Sequence, residues 1–482
     1  MDASPEQKSF GRKLQERIAQ SRFFTFSLLL HVVIVVLGGG VVLFHKALDA
    51  PDFSSEGDGL MSAETSVQAP VEQPPDVSQE QSFTPEAPSV AAPTVSAIVT
   101  NTTNNTSFQM ASIPMPVKAI AGDAKMVTDT KSLSKTVGKG MPGTMGGRMG
   151  GSMRSSLQMK NNQKDKSEKA VMAGLRWLKD HQSPDGSWSD EHRPAMTGLA
   201  LLCFMGHGEL PESPEFGPTV KKALDWVLVR GTEFQGRMSL TKDGWGGNAG
   251  VYEHGILTYA IGEYYSMTKD ERFTELLKLA VGHIVAGQNP AGGWDYGFAK
   301  SPRNDLSVAG WQIQALKAAH LTGLGLPGVD EALDKAMPWL KSMQGNEGGF
   351  GYIKPENKLS LTGVGVLCTY FWKESKDRTV KEGIDFIIGK SEVKYKGGKS
   401  PADLYGWYYN TQACLMFGGS AWSKWNRMFQ DEIADNQSPD GSWPPTAGGH
   451  MQPNPGGAGP YYRTTLCILM LEVFYRYMPS NK

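Results

Sequence analysis

The chain has 482 residues, with 48 basic against 49 acidic side chains and a formal net charge of −1. That balance excludes a dedicated nucleic-acid binder, which carries a basic excess. The averages conceal an asymmetry: all 12 Trp fall between Trp177 and Trp443, and all 15 Tyr lie from Tyr252 onward. The first third has neither Trp nor Tyr, and so few large aromatic side chains from which to build a core. One folded domain on a long leader is therefore expected, and Cys203, Cys368, Cys414 and Cys467 all belong to it.

Residues 1–22 form a basic segment carrying Lys8, Arg12, Lys13, Arg17 and Arg22. Residues 23–44 follow without a formal charge, rich in Leu, Val, Ile and Phe. As a helix this run is about 33 Å long, enough for a hydrocarbon core of roughly 30 Å. Asp49, Asp52, Glu56 and Asp58 lie beyond it. The positive-inside rule then keeps the N-terminus in the cytoplasm and exports the rest, giving a single-pass protein of the cytoplasmic membrane with its folded domain in the periplasm or outside. The alternative is a cleaved signal peptide. Against it stand the length of the run and the position of its best small-residue site, Ala47 to Ala50, directly before Pro51.

Ser27 and His31 sit four residues apart on one face of this span. An ionisable side chain within a membrane helix is a functional candidate. The pattern Ser27-Leu-Leu-Leu-His31, between a basic stub and a Pro-rich spacer, resembles the N-terminal part of TonB-type energy transducers. That resemblance implies a proton-channel motor as membrane partner. The plain reading is an anchor that happens to carry a histidine.

Residues 45–160 read as a disordered linker of two parts. Positions 51–117 hold 9 Pro, 8 acidic residues and no Lys or Arg, a composition that cannot bury enough apolar area to offset chain entropy. Positions 131–160 carry six basic residues and no acid, with Met141, Met145, Met149 and Met153 in a Gly-rich run. This part reads as a flexible basic tether, or as a set of soft thioether ligands for Cu(I).

From 161 to 482 the sequence repeats. Ala173, Trp177, Leu178, Gln182, Gly186 and Trp188 define one copy, and Lys335–Phe350 repeats the layout. Further copies end in Gln288…Gly292…Trp294 and Gln437…Gly441…Trp443, and degenerate ones run through Trp226 and Phe386. The aliphatic anchor falls at 178, 227, 284, 340, 387 and 433, so the period is near 50 residues, the range of solenoids and rings. A second apolar segment follows each turn, at 196–205, 251–265, 306–319, 359–372, 405–417 and 461–477, each long enough for a helix. Turns such as Ser183-Pro-Asp-Gly186 separate the helices of each pair. An open solenoid needs polar end caps. The last segment is the most apolar of all, so closure is expected: an all-α fold, an α/α toroid of six helical hairpins with one ring of helices inside another.

The turns Gln182…Trp188, Gln288…Trp294, Gln344…Phe350 and Gln437…Trp443 resemble the QW repeats of the squalene–hopene cyclase and protein prenyltransferase superfamily. The stretch from Asp403 through Trp407 to Trp425 also resembles bacterial toroid proteins of that superfamily. The resemblance spans about residues 166–482 and implies that Gln and Trp tie the outer helices together at their ends. It speaks for fold and not for chemistry.

The catalytic devices of the superfamily are missing. Cyclases that begin by protonation carry a DxDD cluster, and its nearest counterpart here is Asp305 alone, which reads as a general acid or as a helix N-cap. The Asp-x-Cys zinc pair of the prenyltransferases and the Cys-Gly-Glu-Gln thioester turn do not occur. Each cysteine lies in an apolar helical run and reads as core. No metal and no cofactor is expected. What remains is a cavity where the inner helices begin. Their N-termini should bring together Tyr252, Glu253, His254, Asp305, Asp403, Tyr405, Tyr408, Tyr409, Tyr461 and Arg463, with Asp305 and Asp403 as candidate acids. The expected occupant is a lipid-like, peptide or glycan ligand; packing between helices is the alternative for each residue.

Overall fold

The computed structural model describes residues 143–149, 151–240, 244–245, 249–372, 376–398, 402–446 and 457–477, all within one unit of the chain, Pro114–Lys482. The expected span at 23–44, with Ser27 and His31, and the spacer up to residue 142 lie outside them. Among the described residues no helix is long and apolar enough to cross a membrane.

Regular structure among these residues is helical, with only isolated bridges around Gln344 and Phe350. After a 3-10 turn, Gly143–Met149, comes α1 (Gly151–Lys160). Six hairpins follow: α2 (Asp165–Asp180) with α3 (Arg193–Gly206), and α4 (Gly217–Glu233) with α5 (Ala249–Thr268). Then come α6 (Thr274–Gly287) with α7 (Leu306–Leu321), and α8 (Val329–Ser342) with α9 (Leu359–Phe371). The last two are α10 (Arg378–Lys390) with α11 (Leu404–Phe417), and α12 (Gly419–Asp435) with α13 (Gly459–Leu471). A short α14 (Val473–Arg476) ends the described chain.

The second helix of each pair belongs to an inner ring. Each packs on the next, from α3 through α5, α7, α9 and α11 to α13, and α13 returns to α3. The first helices form the outer layer and lean on the inner helices either side. Sequence pattern sets the layer. α8 buries Val329, Ala332, Leu333, Ala336 and Leu340, a single stripe at helical spacing, and leaves its other face to water. α11 buries every residue from Leu404 to Met416, as a helix apolar around its whole circumference must. The α/α toroid is thus a closed double ring, as the repeat implies.

Each Gln-x3-Gly-x-aromatic turn is a clasp between neighbouring outer helices. Gln288 Nε2 donates to Gly292 O within its own turn at 2.9 Å and to Ala332 O of α8 at 2.8 Å. Gln182 reaches Thr219 O of α4 at 2.9 Å, and Gln344 reaches Thr379 O of α10 at 2.8 Å. Gln437 reaches Ala170 O of α2 at 2.8 Å and so joins the last hairpin to the first. The indoles of Trp188, Trp294 and Trp443 donate to carbonyls ten residues upstream, at 2.7, 2.8 and 2.8 Å, while Phe350 fills the same buried place without a donor. The turn glycine is required twice over. Gly292 has φ 107°, and a Cβ there would stand 2.2 Å from Lys335 O.

One boundary differs from the sequence reading, which ends the linker at 160. The segment 143–160 is helical and docked: Met145 and Arg148 are fully buried, and Leu157 nearly so. Its partners, Glu263 and the Arg476 carbonyl, lie 115 and 328 residues away, so no local pattern announces them. Met145 is buried while Met153 is half-exposed.

Candidate functional site

A cavity of about 480 Å³ opens where the inner helices begin. Its wall is aromatic: Tyr252 from α5, Trp311 from α7, Tyr405 from α11 and Tyr462 from α13, with Tyr296 and Tyr352 from connecting segments. Ala195, Met196, Ala249 and Ile256 complete the apolar surface, and the polar groups are His192, Glu253 and Ser307. The inner helices all begin at this end of the ring, so side chains of their first turns converge on one mouth.

Glu253 is almost fully buried, and its two oxygens are committed differently. Oε2 accepts from the Leu240 N–H at 2.9 Å, and Oε1 lies 3.2 Å from His192 Nδ1, which must carry the proton because the carboxylate only accepts. This hydrogen bond raises the His192 pKa above the usual imidazole value, against the burial that opposes it. His192 is also left-handed, with φ 48°, an uncommon conformation for a side chain of this kind. The cavity thus carries a carboxylate–imidazole pair on one wall.

A second polar edge is a hydroxyl chain. Tyr252 OH and Ser307 Oγ are 2.8 Å apart, and Ser307 Oγ donates to Asp305 Oδ1 at 2.5 Å. Asp305 itself stands behind this chain. Oδ1 accepts the Ser307 N–H at 2.9 Å as the N-cap of α7, and Oδ2 accepts from Arg303 at 2.9 Å. Arg303 pairs further with Asp295. Asp305 is thus the N-cap of α7, one of the two roles its position offers, and it reaches the cavity only through the Ser307 hydroxyl. Asp403 has the same place on α11, accepting the Gly406 N–H at 3.0 Å, and is an N-cap and not a cavity acid.

Of the residues singled out from sequence, Tyr252, Glu253 and Tyr405 line the cavity. Tyr408 and Tyr409 lie beneath it, packed on Trp311 with ring centroids 5.8 and 5.6 Å away. His254 points to the outer layer: Nδ1 accepts from Met238 N–H at 3.1 Å, and Nε2 donates to Ala280 O at 3.0 Å. Burial pushes its pKa down to about 3, so it is a neutral structural histidine. Tyr461 packs on Trp177, and Arg463 donates to the Trp443 carbonyl at 3.1 Å. The sequence reading missed His192, Tyr296, Trp311, Tyr352 and Tyr462. The aromatic ones continue the clustering of Tyr that it noted; His192 has no such signal, because its role depends on a turn in space. The four cysteines are free and buried in the helices, and among the described residues no group of three or more His, Cys, Asp or Glu is arranged so that it could hold a metal ion.

No family model and no curated protein sequence matches the chain. Among solved structures it is similar to the α-1,6-mannanase GH76A from Salegentibacter sp. HEL1_6, at 12% identity over 64% of this chain and 98% of that one, with a TM-score of 0.47. It is also similar to the type II terpene cyclase MstE from Scytonema, at 12% identity over 64% and 98% of the two chains, with a TM-score of 0.44. Both are α/α toroids, and the likeness is one of fold alone.

Proposed function

We propose that the toroid is a binding domain that takes up a small ligand, or one unit of a longer one, in the aromatic cavity at the mouth of the ring. The observation that carries this reading is the composition of one enclosure: six aromatic rings around about 480 Å³, with a carboxylate–imidazole pair and a hydroxyl pair among them. That volume is in the range of small-molecule sites, and a mostly apolar wall with a few placed polar groups is their usual chemistry. Flat aromatic walls suit the apolar face of a sugar ring, a lipid-like chain or a side chain of a peptide. Glu253 and His192 select for a hydroxyl or amine at the other end.

The rival reading, a cyclase-like enzyme with Asp305 as the acid, is weakened by the capping role of that residue. The similarity of the repeat turns to those of the cyclase and prenyltransferase superfamily supports the ring and leaves the chemistry open.

The reading extends to the whole chain. The run at 23–44 anchors it in the cytoplasmic membrane with the N-terminus inside, and the acidic spacer carries the ring outside. Ser27 and His31 couple the span to a proton-channel motor. The support is the uncharged run, its flanking charges and the helical spacing of those two residues. Loss of cellular function in His31→Ala with normal membrane insertion is the expected result for coupling; full function would leave a plain anchor.

The cavity is tested by mass spectrometry of small molecules retained by the purified full chain. A ligand should be retained by the wild type and lost from Ala249→Phe, which fills the space from the wall while the chain keeps its thermal stability. Equal retention by a stably folded Ala249→Phe would overturn the binding site.

A further inference from the structure

The floor of the ring, at the far ends of the inner helices, is closed by a segment outside the six hairpins. Gly143–Met149 and α1 lie across it, against α14. Arg148 is fully buried there: Nη1 donates to Glu263 Oε2 at 2.8 Å, and Nε donates to the Arg476 carbonyl at 2.8 Å. On its other side Glu263 meets the Tyr477 hydroxyl and lies 3.6 Å from Arg476 Nη2. Glu263 thus holds Arg148 on Oε2 and meets Tyr477 and Arg476 on Oε1.

The strap is held mainly by polar side chains. Arg154 bonds Glu168 at 2.5 Å and the His207 carbonyl at 3.0 Å, and lies over the Tyr475 ring at 4.0 Å. Within 143–160, Met145 and Leu157 are its buried apolar anchors, while Met153 and Met159 face water. Even docked, Arg148 Nη2 and Arg476 Nη1 stay buried without partners. A segment with few buried apolar contacts opens at lower free energy than the core it covers.

Two physical lines run from this floor to the cavity. Glu263 lies on α5, whose first turns carry Tyr252 and Glu253. Tyr408, in the field of Arg476, stacks on Trp311 of the cavity wall.

We propose that the strap of Gly143–Met149 and α1 is a releasable latch, docked on the floor of the ring through Arg148 and Glu263, whose undocking loosens the cavity above. The element with two arrangements is Glu263, paired with Arg148 or left with Arg476 and Tyr477, which gives the coupling a physical carrier. The regulatory half rests on the reading of the cavity as a binding site.

The test uses the full chain. Hydrogen exchange compares 151–160 with 359–371, an inner helix that does not line the cavity, in the wild type, Arg148→Ala, Glu263→Gln and Leu157→Ala; the last loosens the strap without stranding a buried charge. Strap amides should exchange at least 10-fold faster in all three variants while 359–371 stays unchanged. If both segments exchange together in every protein, the strap opens only on global unfolding and is no latch. Binding of the dye 1-anilinonaphthalene-8-sulfonate is then measured, with Ala249→Phe to mark the cavity-borne part of the signal. The latch predicts at least a 3-fold change in dye affinity in Leu157→Ala. A cavity-borne signal that does not move in Leu157→Ala overturns the regulation alone. A signal indifferent to Ala249→Phe overturns the cavity reading, and with it the regulatory half of the latch.

Discussion

Glutamine 288 shows how little chemistry a repeat needs. One amide joins its own turn and the next outer helix, and both acceptors are backbone carbonyls. Replacing it with Ala leaves two carbonyls short of a donor, a loss of about 1–3 kcal/mol, which urea denaturation should register with an unchanged slope. A change below a few tenths of a kcal/mol would mean the clasp is ornamental. The pair at the cavity makes a second prediction at this scale. Glu253 raises the His192 pKa by hydrogen bonding, against burial. In Glu253→Gln the imidazole should titrate at a lower pH, read from its ring-proton shifts by NMR. Because the folded-state value is raised, the stabilisation from this pair is full below the unfolded value of about 6.5 and is lost as pH rises through the folded one. A titration identical in both proteins would dissolve the pair.

At the scale of elements, the end of α3 and the start of the chain's last short helix carry opposed electrostatics. Burial disfavours charge on His207, but the hydrogen bonds it donates to Glu168 and Glu209 outweigh that and hold its pKa up at about 9. Burial pushes the Glu472 carboxyl up to about 8, although His207, Arg476 and Arg154 pull the other way. Both groups hold a proton in the folded chain that the unfolded chain has released, since the unfolded values are about 6.5 and 4.3. The linkage sign follows: stability falls as pH rises, from about 4.3 to 8 through Glu472 and from about 6.5 to 9 through His207. Thermal unfolding should show a falling Tm between pH 6.5 and 9. Glu472→Gln should gain on the wild type progressively from pH 5 to 8, and a parallel pH dependence in both would exclude Glu472 as the source.

The element scale also shows what the sequence reading could and could not reach. Helix positions follow from patterns within a single hairpin, and the observed α3, α5, α7, α9, α11 and α13 lie where apolar segments were expected. Tyr252, Glu253 and Tyr405 were nominated because they stand in first turns, and the ring directs them inward. His254, next to Glu253, turns outward by the helical step and becomes a core residue with a pKa of about 3. One position along a helix is about 100° of azimuth, so side chains adjacent in sequence face different layers. The sequence does not carry the reference direction; the packing of α5 on its neighbours does.

For the whole molecule the decisive feature is closure, which puts the first and last hairpins in contact. Gly174 of α2 sits at this seam, and a Cβ there would come within 2.8 Å of Ile468 and 3.1 Å of Trp443. Gly174→Val should overpack the seam and destabilise by about 1–3 kcal/mol, with amides of α2 and α13 becoming the first to exchange. Loss of protection spread evenly round the ring would deny the seam any special place.

The number of hairpins, their helical character and the clasping Gln, Gly and aromatic of four turns were set by sequence alone, because every one of those signals is local and repeats with the period of the structure. Ring closure was implied by the apolar last helix and is realised by Gln437 on Ala170. Only the tertiary structure decided which aromatic rings meet in the mouth, that Asp305 and Asp403 cap helices, and that Arg148 leaves a Gly-rich tether to be buried against Glu263. Those outcomes depend on groups tens to hundreds of residues apart, whose distances the chain fixes only when the ring is shut.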